Sequence, residues 1–128
     1  MNYYFTKTLN VSFDEAVRLA TEALKLEGFG VIAEIDMQEK LKEKLGIDFK
    51  KYRILGTCNP SFAYKALQAE DKIGAMLPCN VLVIEQGENQ IEVAAVNPVA
   101  SMQAVANNAL GDVALQVTNK LKSIIDSL

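Results

Sequence analysis

Ser12-Phe-Asp-Glu-Ala-Val-Arg-Leu-Ala-Thr-Glu-Ala-Leu-Lys-Leu-Glu-Gly-Phe-Gly-Val-Ile-Ala-Glu-Ile-Asp36 changes its hydrophobic period part-way along, and that change decides the fold. Ser12 with Glu15 three residues on is a capping box, in which each side chain serves the other residue's amide. Phe13, Ala16, Val17, Ala20 and Leu24 then recur at helical spacing. Gly28 supplies the left-handed residue that stops the helix. From Phe29 the period becomes two, which predicts a strand with Phe29, Val31, Ala33 and Ile35 on one face. Upstream, Tyr3 to Leu9 alternates as a first strand, so the chain opens β-α-β.

Gly28-Phe-Gly30-Val-Ile-Ala33 matches G-x-G-x-x-A, the dinucleotide fingerprint, but in the wrong setting. That motif needs a strand before it and a helix after it, because the helix N-terminus holds the pyrophosphate. Here a helix ends and a strand begins, which excludes the nucleotide fold.

Further along, Asp36 to Gly46 reads as a short charged helix and Tyr52 to Cys58 as a strand. Asn59-Pro60 is a helix start, with Asn as cap and Pro at the first turn. Ala63, Ala66 and Leu67 give that helix a modest apolar face. Cys79 to Gln86 is a strand apolar on both faces over Val81 to Ile84, which places it inside the sheet. Gly87-Glu-Asn89 is a hairpin turn, and Gln90 to Val96 returns. A second pair, Asn97-Pro98, leads into helical sequence. The closing helix starts near Asn108, with Leu110, Val113, Val117, Leu121, Ile124 and Leu128 on one stripe. This order predicts one α+β domain over residues 1–128: a β-α-β-β-β-β-α core with two inserted helices, a largely antiparallel sheet, and helices on one face. The uncovered face predicts a homodimer.

Composition narrows the chemistry. Of 128 residues 50% are hydrophobic and 23% charged, the balance of a globular chain. There is no histidine, which removes Ser-His-Asp and Cys-His catalysis and every His-ligated metal site. A net charge of −3, from 13 basic and 16 acidic residues, argues against nucleic acid or anionic membrane as partner. Met1 to Lys7 reads as strand and not as a targeting segment. Ile73 to Ile84 is apolar but far shorter than the roughly 20 residues that cross a bilayer. A cytoplasmic location is expected, with Cys58 and Cys79 as thiols.

Four stretches resemble a known family: Gly28-Phe-Gly-Val-Ile-Ala-Glu-Ile-Asp36, Leu41-Lys-Glu-Lys-Leu-Gly46, Ile54-Leu-Gly-Thr-Cys-Asn-Pro60 and Ile73-Gly-Ala-Met-Leu-Pro-Cys-Asn-Val81. They are similar to the bacterial and archaeal family catalogued as domain of unknown function 302, with the likeness running from about Phe5 past Pro98. The resemblance implies an α+β fold akin to half of the TATA-box-binding protein. It implies no activity, and a fold name alone carries none. Relatives often carry Asp before the second proline, where this chain has Asn97.

The chemical candidates are few. Cys58-Asn59-Pro60 and Pro78-Cys79-Asn80 place two thiols at strand ends. Cys58 also stands before a helix N-terminus, whose free amides and dipole favour a thiolate. Such thiols bind a soft metal, form a disulfide or contact a small ligand; the plain alternative is two small buried residues. Zinc at Cys58 and Cys79 lacks the rest of its usual four ligands. Glu34 and Asp36, two apart on a strand, suit acid/base work or a hard cation, or else Asp36 simply caps the next helix. Lys40, Lys42, Lys44, Lys50, Lys51 and Arg53 form the basic stretch, interrupted by Glu43 and Asp48. The leading expectation is a non-enzymatic, homodimeric module binding a small ligand or a protein partner. The alternative is a thiol-dependent redox or metal-binding module at Cys58 and Cys79.

Overall fold

The computed structural model describes residues 2–128. Five strands, β1 (Tyr4–Leu9), β2 (Gly30–Asp36), β3 (Tyr52–Cys58), β4 (Cys79–Gly87) and β5 (Gln90–Val96), form one sheet in the order β1-β5-β4-β3-β2. Every pairing is antiparallel. The helices are α1 (Phe13–Leu26), α2 (Met37–Leu45), α3 (Pro60–Ala69), α4 (Pro98–Ser101) and α5 (Gly111–Ser127), with 3₁₀ turns at Asp71–Met76 and Asn108–Leu110. β1 and β2 therefore run the same way at opposite edges, and α1 crosses the sheet between them. β4, the strand apolar on both faces, is central.

α1 and α5 pack together on one sheet face. α1 buries Phe13, Ala16, Ala20 and Leu24, and α5 buries Val117, Leu121, Ile124 and Ile125, against Leu55, Val81, Val83, Ile91 and Val93. Each large apolar side chain so buried contributes roughly 1.5–3 kcal/mol. The Ser12 hydroxyl accepts from the Glu15 amide at 3.2 Å, so half of the capping box forms. The other half does not: the Glu15 carboxylate takes Arg18 instead, a partner one turn along with full charge. Gly28 and Gly46 have φ of +84° and +67°, and Gly46 closes α2.

Among the described residues the opposite face has no helix layer like that of α1 and α5. One register row, Ile35–Ile54–Leu82–Ala94–Thr6, crosses all five strands on it. Beside this row a polar chain runs across the sheet. Thr6 donates to Glu92 at 2.7 Å, Gln86 donates to Glu92 at 2.9 Å, and Lys50 donates to Gln86 at 3.0 Å. These bonds hold the Glu92 carboxyl below its ordinary pKa.

One sequence expectation fails inside β2. Phe29 is buried and Val31 packs on the core, but Ala33 and Ile35 face away and are exposed. A bulge lies between Val31, paired with Thr57, and Ala33, paired with Gly56, and it reverses the alternation. Gly56 permits this closeness: a Cβ there would lie 2.8 Å from Pro78 and 3.2 Å from Ala33.

Candidate functional site

The reversal in β2 settles where Glu34 and Asp36 go. They turn to the helix-covered side, where Arg53 lies 3.3 Å from Glu34 and 3.7 Å from Asp36. The guanidinium also stands 5.2 Å from the Phe13 ring centroid. Asp36 accepts from the Glu39 amide at 3.0 Å and caps α2. Both carboxylates thus share one guanidinium, and Asp36 also serves as a helix cap. Among the described residues no group of three His, Cys, Asp or Glu side chains is placed to hold a metal. The basic stretch is likewise engaged locally, with Lys42 on Asp48, Lys40 near Glu43, and Lys51 over the Phe13 ring.

The cysteine motifs divide differently. Cys58, Asn59, Pro78 and Cys79 converge on one apolar cavity of about 260 Å³ at the end of the sheet. Pro60, at the first turn of α3, and Asn80, on β4, are exposed and do not line it. One wall comes from α3 through Phe62, Ala63 and Ala66, and another from α5 through Val113, Ala114 and Val117. The small residues Ala63, Ala66 and Ala114 leave the gap between these helices open. A second apolar cluster of Ala66, Ile73 and Leu110 packs beside it. Among the described residues no Asp, Glu, Lys or Arg lines the cavity.

Its few polar groups are mostly occupied. Thr57 donates to the Cys79 carbonyl at 3.0 Å. Asn59 was expected to cap α3 but makes no side-chain cap bond. Its amide donates to the Glu27 carbonyl at 3.4 Å, beside Gly28, and so ties the start of α3 to the end of α1. Cys79 is buried and Cys58 half-buried. Burial pushes the Cys79 thiol up to about 11, with a further rise from the charge of nearby Cys58. The arrangement can hold a neutral molecule by contact.

Comparison with known proteins bears on the family and the fold. A profile of the family described as Domain of unknown function DUF302 matches residues 5–128. The chain belongs to this family. A solved relative of this DUF302 domain is the uncharacterized conserved DUF302 protein from Bacillus stearothermophilus, 28% identical, with a TM-score of 0.90 over 98% of each chain. No curated protein matches. Asn97 is buried and satisfied in this DUF302 domain. It donates to the Asn2 carbonyl at 3.1 Å and accepts from the Val99 amide at 3.2 Å and the Thr118 hydroxyl at 3.4 Å. An aspartate would keep the two accepted bonds and lose the donated one.

Sequence reasoning found the thiol side of the cavity and missed the far wall. Val113 and Val117 were read as core stripe, which they also are. The alanines of α3 carried the only advance signal, a helix face too small to fill the space beside it.

Proposed function

We propose that this DUF302 domain is a non-enzymatic, homodimeric binding module whose ligand is an uncharged, apolar small molecule held in the cavity. The cavity carries the reading. An engineered apolar cavity of about 150 Å³ takes benzene, so about 260 Å³ suits a molecule of two fused rings. Left empty, such a volume forfeits on the order of several kcal/mol of packing, against a total stability of about 5–15 kcal/mol. A charged ligand would face walls with no counter-charge and lose its hydration. The test is calorimetry and thermal unfolding with indole and with indole-3-acetate. Indole should bind saturably and raise the Tm, while the carboxylate should not. Ala66→Phe should fill the space and abolish binding without lowering stability. Failure of indole and similar neutral aromatics to bind saturably would overturn the reading.

A thiol-dependent redox or metal-binding role is the second reading, favoured by the meeting of Cys58 and Cys79 at one cavity. Zinc titration of the reduced protein, with Cys58→Ser as control, tests it. The likeness to half of the TATA-box-binding protein rests on the β-α-β-β-β-β-α order, and no DNA binding is carried over from it. A cytoplasmic setting, which keeps both thiols reduced, fits either reading.

A further inference from the structure

We infer that residues 99–109 form a lid on the apolar cavity, latched to the end of α3 by Asn107, and that its opening sets how fast a molecule enters and leaves; this rests on the cavity as the binding site and adds its gate.

The chain from Pro98 to Leu110 forms one side of the cavity, which Pro98, Met102 and Leu110 all line. Pro98 and Leu110 are buried, whereas every residue from 99 to 109 is exposed or half-buried. Both ends are therefore fixed in the core. Met102 stands between them, packed on the cluster of Ala66, Ile73 and Leu110. A methionine suits a gate, being unbranched and adaptable. Around it Ala100, Ala104, Ala106 and Ala109 bring little apolar surface to hold the segment down.

The backbone bonds of this stretch are local. The Met102 amide donates to the Pro98 carbonyl at 2.9 Å, Val105 to Met102 at 3.0 Å and Asn107 to Val105 at 3.0 Å. Near the start, the Val99 amide also reaches the Thr118 hydroxyl of α5 at 3.3 Å. At the far end Asn107 makes the tie. Its Nδ2 donates to the Ala69 carbonyl at 2.8 Å and to the Glu70 carboxylate at 3.2 Å, while its Oδ1 accepts from the Ala109 amide at 3.0 Å. The Ala69 carbonyl ends α3 and is one of the groups a helix leaves without an internal partner. A segment with local bonds and little buried surface opens at a lower free energy than the core around it.

Asn107→Asp tests the latch with almost no change of shape. It keeps the bond from Ala109, loses both donated bonds, and sets a second carboxylate against Glu70 and the negative end of α3. Cys79 lines the cavity and is buried, so its thiol reports access without any reversible ligand. On prolonged incubation, N-ethylmaleimide should modify Cys79 of a Cys58→Ser chain about tenfold faster with Asn107→Asp than without it. Leu55→Ala, in the core away from the cavity lining, should leave that rate unchanged. Indole rates follow by stopped-flow fluorescence, because the chain has no tryptophan. Association and dissociation should both quicken about tenfold with Asn107→Asp. Kd should stay within about threefold, since the latch holds free and occupied forms alike. An unchanged Cys79 rate, or an equal rise with Leu55→Ala, would overturn the lid. Indole that binds wild type and variant at the same rates would overturn it too. Indole that fails to bind while Cys79 labelling quickens would overturn the apolar-ligand reading and support the lid.

Discussion

Leu55 and Ile54 are neighbours in β3, and they live in different environments. Leu55 points under α1 and α5 and is 1% exposed; Ile54 points to the open face and is half-buried. The same contrast holds along β4, where Val81 and Val83 are sealed and Leu82 is not. The sheet thus carries one face sealed by helices and one that is not, and stability comes mainly from the first.

Leu55→Ala against Ile54→Ala is the sharpest way to break this contrast. Leu55→Ala should cost about 2–5 kcal/mol, the usual range for a large side chain removed from a packed core. Ile54→Ala should cost under about 1.5 kcal/mol, because part of its surface is already wet. Urea unfolding of both variants gives the answer. Equal losses would mean that the second face is buried within a single chain.

The next effect is alkaline. The Cys79 thiol titrates near 11 in the folded chain against 9.0 for the free group. Its folded value is raised, so its contribution is fully present below pH 9 and is lost as pH climbs towards 11. The loss approaches about 2–3 kcal/mol, at about 1.4 kcal/mol per pKa unit. Cys79→Ala should flatten that decline. At about pH 8, where thiolate content governs labelling, iodoacetamide should modify Cys58 and leave Cys79 untouched until denaturant is added. Rapid labelling of both would place Cys79 in solvent and open the covered side of the comparison.

Much of the architecture was legible in the sequence because the relevant signals are local. The switch of period at Gly28, the strand apolar on both faces and the stripe on α5 each predicted the element found. What escaped were choices made by tertiary partners. Nothing in Val31-Ile-Ala33 marks a bulge; beside it Gly56 of β3 and Pro78, just before β4, come together. Asn59 has the chemistry of a cap, yet the Glu27 carbonyl takes its amide across 32 positions of chain. The cap formed by Asp36 is readable from the sequence, but the ion pairs of Glu34 and Asp36 to Arg53 are not, because Arg53 lies on another strand. The cavity was half legible: Cys58, Asn59, Pro78 and Cys79 were singled out by motif, while its α5 wall reads as ordinary core until α3 is set beside it.

Methyl NMR with naphthalene tests the cavity reading most directly. The account predicts saturable shifts confined to methyl groups that line the cavity, those of Ala63, Ala66, Leu110, Val113 and Val117 among them, abolished by Ala66→Phe and absent when naphthoate replaces naphthalene. Shifts spread over the open sheet face, or none at all, would contradict it.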